Sequence, residues 1–171
     1  GQQGEWTAYT VVHAALSGGE KSIFLVAGPS ASGKTTTANK LKYELSRMCR
    51  DSVVFSMDNF YKDRDRMPVV DGKANPEVVE ALEVDLLAEK MRQIVREGRA
   101  RLPVYDFLTG TRTDDAEEVS VGKNGVLIIE GIHALNPVVY RGVDPLLLHR
   151  IYVSPHSGFA VPGKTVLTKR E

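Results

Sequence analysis

The chain has a single cysteine, Cys49, so no internal disulfide framework can form. Cys49 reads as structural or incidental, and a reducing cytoplasm is the default compartment. Charge of one sign is also missing. Lysine plus arginine number 22, aspartate plus glutamate number 22, and the formal net charge is +0. Nothing electrostatic therefore argues for a nucleic-acid or acidic-membrane partner. No apolar run approaches membrane-spanning length, and no secretory signal is legible at the first residues. His13, His149 and His156 show no metal-ligand spacing with one another or with Cys49, which argues against a structural zinc site. There are no internal repeats. No Asn-Lys-x-Asp stretch of the guanine-reading kind occurs, which argues against a regulatory GTPase.

What is present is ordinary in bulk and specific in one place. A length of 171 residues, 42% hydrophobic and 26% charged, fits one globular domain with a sizeable core. The specific place is Gly28-Pro-Ser-Ala-Ser-Gly-Lys-Thr-Thr36, which completes the spacing G-x-x-x-x-G-K-S/T. The apolar stretch 23–27 before it reads as a buried strand. Ala38, Leu41 and Leu45 after it recur at helical spacing. Strand, glycine-rich turn and helix are the context a phosphate-binding loop requires; the bland alternative is a chance match in a glycine turn. In that loop Gly28, Ser30, Ala31, Ser32, Gly33, Lys34, Thr35 and Thr36 are the candidate nucleotide cradle. Backbone N–H groups and the helix N-terminus face the phosphates. Lys34 reaches the outer phosphates, and the Thr35 hydroxyl suits Mg²⁺.

Along the rest of the chain, residues 1–20 predict a segment that could form a short helix, ended at Ser17-Gly-Gly19, and residues 21–171 the main domain. Residues 53–57 predict a second strand ending in Asp58, and Arg64 to Ala74 a long polar surface loop. One broad apolar face over 78–97 predicts a single amphipathic helix stopped by Gly98. Leu102 to Phe107 is short and partly strand-like, and Thr109 to Glu118 predicts a polar loop. Asp114, Asp115, Glu117 and Glu118 form a short acidic run, the mark of a solvated loop. Gly125-Val-Leu-Ile-Ile129 has the continuous apolar character of a central parallel strand, ending at Glu130. A short helix over 146–148 and a last strand over 150–153 complete an α/β three-layer domain with a mostly parallel sheet.

Ligands in such sheets sit beyond the carboxyl ends of the strands. Three strands bring polar residues to that edge: the glycine-rich loop, Asp58 and Glu130. Carboxylates converging on Lys34 and Thr35 would find partners in the lysine and Mg²⁺. Asp58 as a helix cap and Glu130 as a strand-end surface carboxylate are the plainer alternatives. His133 fits a packed or capping histidine better than a phosphate contact.

Three further stretches carry a family likeness. Ser56-Met-Asp-Asn-Phe-Tyr-Lys-Asp63, Leu102-Pro-Val-Tyr-Asp-Phe-Leu-Thr-Gly-Thr-Arg112 and Val126-Leu-Ile-Ile-Glu-Gly-Ile-His-Ala-Leu-Asn136 resemble the internal motifs of the uridine kinase family, which groups with phosphoribulokinase-like enzymes. With the loop at 28–36, the resemblance covers roughly residues 20–153. The Gly-Ile-His-Ala-Leu-Asn form resembles a uridine kinase-like subgroup, whose kinase domain often follows another domain that this chain starts too late to include. The resemblance implies a P-loop NTPase fold of nucleoside/nucleotide-kinase type. It also implies ATP and Mg²⁺ as cofactors, a nucleoside or other small molecule as partner, and a homo-oligomer left open. It implies that Asp58 takes the proton of a 5′-hydroxyl near Mg²⁺, that Glu130 is a Mg²⁺ ligand, and that Lys34 and Asp58 are the catalytic pair. Tyr61, Tyr105 and Phe107 would form the base pocket, Glu77 would hold the ribose hydroxyls, and Arg112 would be a motif arginine beside the substrate.

Three departures modify these expectations. Asn75-Pro76 stands where the family usually has Asp-Phe. Gly110 stands where well-known members carry a base-reading histidine, so more room and looser base choice are expected there. The family continues past its last strand into an arginine-rich lid helix; Thr168-Lys-Arg-Glu171 resembles its beginning, and the chain is expected to lack the lid. The leading expectation is ATP-dependent phosphorylation of a pyrimidine nucleoside, uridine or cytidine. A related kinase acting on a phosphorylated sugar or pantothenate-like hydroxyl, or a nucleotide-binding regulatory module without catalysis, are the alternatives.

Overall fold

The computed structural model describes residues 22–29, 33–153, 158–161 and 165–168. The helix expected within 1–20, and Ser30, Ala31 and Ser32 of the glycine-rich loop, lie outside the described residues. The chain divides into two compact units. One runs up to Phe55 and takes up again at Val121–Leu135 and from Asp144 on; the other comprises Ser56–Ser120 and Asn136–Val143.

The first unit is built on a sheet. β1 (Ser22–Ala27) is buried at every position, as its apolar run requires. It pairs in parallel with β7 (Val126–Glu130) and with β8 (Leu148–Val153), placing Ile23 opposite both Leu127 and Leu148. β2 (Ser52–Ser56) lies outside β7. Two antiparallel strands, β9 (Gly158–Val161) and β10 (Thr165–Thr168), extend the other edge, giving the order β10-β9-β8-β1-β7-β2. α1 (Lys34–Arg47) lays Ala38, Leu41 and Leu45 on Phe24, Val26, Val126, Ile128, Ile151 and Val153; all nine are within 1% of full burial. Completely burying a Leu, Ile, Val or Phe side chain contributes roughly 1.5–3 kcal/mol, so this face is a substantial source of the unit's stability. After α1 the chain reverses through Cys49, which is exposed and left-handed at φ 56°.

The second unit is less regular. α2 (Val84–Glu97) buries Leu87, Ala88, Met91 and Ile94 and ends at Gly98, left-handed at φ 77°, whose N–H closes on Ile94 O. β5 (Arg99–Asp106) pairs antiparallel with β6 (Thr111–Ser120), with an irregularity between Leu102 and Val104. Pro103, which has no N–H to give the ladder, sits at that irregularity. β3 (Val69–Val70) and β4 (Lys73–Ala74) form a minimal hairpin across Asp71-Gly72, both at positive φ as a tight two-residue turn demands. Single 3₁₀ turns lie at Met57–Phe60, Arg64–Arg66 and Val79–Ala81.

Several expectations need correction. The polar segment 109–118 is not a loop but most of β6. Eight of its ten residues are exposed, so it has no apolar alternation to reveal it, and backbone pairing to β5 alone makes it a strand. The helix expected over 78–97 is two pieces. Leu82 takes extended backbone (ψ 147°) and bridges Tyr61, while Ala81 and Leu82 remain buried, so the apolar stripe continues although the helix does not. The loop 64–74 contains the β3–β4 hairpin, and the strand-like piece at 102–107 starts earlier, at Arg99. Asn59-Phe60 does lie within a turn, capped by Ser56 Oγ, which accepts from Asp58 N. The last strand expected at 150–153 is followed by β9 and β10.

Candidate functional site

In the first unit the glycine-rich turn leads from β1 into α1. Gly33 is left-handed (φ 94°) and caps α1 without a side-chain hydrogen bond; no acidic residue stands in the first turn. A helix start with neither side-chain cap nor acid leaves first-turn N–H donors and the positive helix end for an anion. Lys34 Nζ donates to Pro29 O at 2.8 Å and closes the loop from within. Thr35 and Thr36 are exposed, and Thr37 is buried with its N–H on Gly33 O. Glu130 is half-buried at the end of β7, opposite Val26 in the β1 register, and Gly131 N–H donates to Val26 O. One hydroxyl and one carboxylate beside a phosphate cradle suit Mg²⁺, which usually takes few protein ligands and completes its shell with phosphate and water. No all-protein cluster of three or more metal-binding side chains occurs among the described residues.

The second unit contains a cavity of about 890 Å³, lined by Asp58, Tyr61, Tyr105, Phe107, Gly110 and neighbours from the 63–76 segment. Three rings meet edge to face in its wall: Tyr61–Tyr105 at 5.7 Å, Tyr105–Phe107 at 5.1 Å and Tyr61–Phe107 at 6.5 Å between centroids. Tyr105 is buried near the end of β5, and Phe107, in the turn just past the strand, packs against it on the cavity side. Tyr105 N–H donates to Asn59 Oδ1, tying the strand to the turn that carries Asp58. Burial pushes the Tyr105 phenol above its ordinary 10.0; Arg64 partly opposes this and Asp63 adds to it. Asp106, on the opposite face, caps the turn that follows. Its carboxylate accepts from Leu108 N and Thr109 N, which holds it below the usual carboxylate range.

Four expected acceptor-side residues thus line one cavity: Asp58, Tyr61, Tyr105 and Phe107. Two do not. Glu77 is exposed and lies next to the lining residue Pro76, with its N–H on Asn75 Oδ1. Arg112 instead braces the pocket from behind: Nη1 donates to Tyr61 O at 3.0 Å, Nε to Asp114 Oδ1 at 2.7 Å, and its own N–H to Asp63 Oδ1 at 2.8 Å. The room expected at Gly110 is taken by Arg64, whose Cζ stands 2.7 Å from where a Cβ would be. Asp63, Arg64, Asp65, Met67 and Lys73 were not singled out as site residues. Their only signal was adjacency to Tyr61 within a stretch that reads as solvent-facing loop. His133 is half-buried near the end of β7, and His149 stacks on Phe24 at 5.2 Å, where burial lowers its pKa from the ordinary 6.5.

Residues 23–161 match the Phosphoribulokinase / Uridine kinase family model. A uridine kinase of Aliivibrio salmonicida is 33% identical over 132 residues, 75% of this chain and 57% of that protein. A uridine kinase of Lactobacillus johnsonii is 32% identical over 111 residues, 64% of this chain and 51% of that protein. The chain spans about half the length of the curated relatives it matches. Among solved structures, one described as a "Possible Uridine Kinase from Bacillus stearothermophilus" superposes with a TM-score of 0.65 at 23% identity, covering 85% of this chain and 78% of that one. A D-glycerate 3-kinase of Cryptococcus neoformans superposes at 0.54 and 22% identity, covering 73% and 50%. The fold is therefore the α/β fold of the P-loop kinases, with its mostly parallel central sheet.

Proposed function

Because this chain belongs to the phosphoribulokinase/uridine kinase family, we propose that it takes part in ATP-dependent transfer of a phosphoryl group to the 5′-hydroxyl of a pyrimidine nucleoside, uridine or cytidine. One observation carries the acceptor assignment: a carboxylate, Asp58, lines the same cavity as three mutually packed aromatic rings. Aromatic walls suit a flat base, and a carboxylate beside them suits a hydroxyl that must lose a proton.

The roles follow from the chemistry of each group. Gly28 to Thr36 hold the donor phosphates through backbone N–H groups, and Lys34 neutralises the charge that builds up on them during transfer. Thr35 and Glu130 hold Mg²⁺, which supplies charge neutralisation at the phosphates when bound. Asp58 orients the acceptor hydroxyl and receives its proton. Tyr61, Tyr105 and Phe107 hold the base, and Arg112 fixes Tyr61 through its carbonyl. Glu77, beside the cavity, accepts hydrogen bonds from the ribose hydroxyls. Positioning and electrostatics supply most of the rate in such reactions. The work is that of an enzyme on a small molecule in the cytoplasm, with neither nucleic acid nor membrane as partner.

The test is a phosphoryl-transfer panel from ATP over uridine, cytidine, 2′-deoxyuridine, purine nucleosides, phosphorylated sugars and pantothenate, using the full-length protein. Pyrimidine ribonucleosides should lead, and Glu77→Ala should erase much of the ribo-over-deoxy preference. Turnover of a sugar phosphate or pantothenate in place of nucleosides would assign the same machinery to another hydroxyl. ATP binding with no acceptor turned over would leave a regulatory module.

A further inference from the structure

Gly110 is left-handed at φ 69°, and a Cβ there would lie 2.7 Å from Arg64 Cζ and 2.9 Å from its Cβ and Nε. Arg64 therefore lies flat on the glycine, in space that any side chain at 110 would fill. Its Nη2 donates to Phe107 O at 2.8 Å, and its backbone N–H donates to Gly110 O at 2.8 Å. Side chain and main chain are thus both tied to the turn that carries Phe107. Arg64 lines the aromatic cavity. A guanidinium offers five N–H donors and no acceptor, and the Phe107 bond engages only one of them. A second polar group lies in the same wall. The Tyr105 hydroxyl oxygen is fully buried and has no hydrogen-bond partner among the described residues. A buried hydroxyl in that state calls for a partner from a ligand or water. A tyrosine phenol is protonated at neutral pH, and burial moves its pKa further up, so it can donate in a hydrogen bond.

Building on the nucleoside assignment above, we propose that Arg64 sets base choice in this pocket, selecting a ring that turns a carbonyl toward its guanidinium over one that turns an amino group there. Uracil and cytosine share the C2 carbonyl and differ at C4, so with the C4 edge toward Arg64 the choice is uridine over cytidine. A donor-only guanidinium facing the cytosine amino group leaves donors on both sides unpaired, and sites built on hydrogen bonding reject such mismatches strongly. The carboxylates that share the wall act in the other direction. Asp63 is already engaged by the Arg112 N–H at 2.8 Å, and Asp65 stands exposed in the Arg64–Arg66 turn. The choice is thus narrower than an empty glycine corner would allow.

The test measures equilibrium binding of uridine and cytidine by calorimetry, with transfer rates alongside, in the parent, Arg64→Gln and Arg64→Lys proteins. The parent should favour uridine by about tenfold or more. Arg64→Gln, which offers both a donor and an acceptor, should bring the ratio close to one, and Arg64→Lys should keep uridine ahead. Equal affinities in the parent, cytidine ahead in the parent, or a ratio unchanged in Arg64→Gln would overturn the role of Arg64 while leaving a nucleoside kinase. If neither nucleoside binds nor accepts phosphate in the parent, the nucleoside assignment fails and this one fails with it.

Discussion

In the sheet unit, the proposed donor-side groups come from the loop 28–36 and one strand end, on a framework whose strand β1 is buried at every position. In the other unit, the pocket draws on residues from Asp58 to Thr111, carried by 3₁₀ turns, a two-residue hairpin and a pair of strands with one face in water. Backbone N–H groups aimed at an anion need only a short glycine-rich turn and a helix start, so a phosphate site can be local. A site that recognises a shape must be assembled from several walls. Such walls belong to irregular, exposed segments that tolerate change. The fold is shared with solved structures described as a possible uridine kinase and as a D-glycerate 3-kinase, and one fold can carry different acceptor sites.

The sharpest way to break this division of labour is to remove one group from each side. Asp58→Asn keeps size and loses the base; transfer should fall by about 10²–10⁴-fold while ATP affinity stays close to the parent's. A matching loss of ATP affinity would put Asp58 on the donor side. Lys34→Ala should lower transfer by about 10²–10³-fold and weaken Mg·ATP binding, with nucleoside binding intact by calorimetry. Unchanged ATP affinity in that variant would remove the loop from the mechanism.

Stability should divide in the same way. Leu41→Ala, in the fully buried face of α1, should cost roughly 2–5 kcal/mol in denaturant unfolding. Glu117→Ala, on the exposed strand β6, should stay within about 0.5 kcal/mol. Comparable losses would mean that the hairpin contributes as much to the cooperative unit as the sheet does. The smallest effect expected is titration of His149. Its folded pKa lies below the ordinary 6.5, so the unfolded chain binds the proton more readily. Its contribution is therefore complete above pH 6.5 and is lost as the pH falls through the lower folded value. Melting temperature should drop over that acidic window, and His149→Phe should flatten the drop.

What was legible in the sequence follows the same line. Ile23 to Ala27, Val126 to Ile129 and the helix from Lys34 declare themselves because burial on one or both faces writes a continuous or 3.6-residue pattern. The break at Leu82 was not legible: Ala81 and Leu82 stay buried on either side of it, and burial preserves the stripe whether or not the backbone coils. β6 was illegible for the opposite reason, since almost nothing on it is buried. Tyr61, Tyr105 and Phe107 could be named from motif likeness and strand alternation. The seat of Arg64 on Gly110 could not, because it depends on a contact between segments joined only by the fold. The motif of Arg112 points beside the substrate, whereas its hydrogen bonds go to the main chain of Tyr61 and to Asp63 and Asp114.

The acidic run Asp114, Asp115, Glu117 and Glu118 sits on β6, whose sheet has two strands, so among the described residues one long margin of β6 has no ladder partner. A strand margin of that length is a template on which another chain can extend the sheet, and repulsion between like-charged copies is a common defence. Lys90, Arg101 and Arg112 pair with Asp115, Glu118 and Asp114 respectively, which lowers the net charge of the row while keeping charged side chains along the strand. The run that marks solvent exposure in the sequence thus lies on a strand margin of the kind that charged side chains keep from pairing edge to edge.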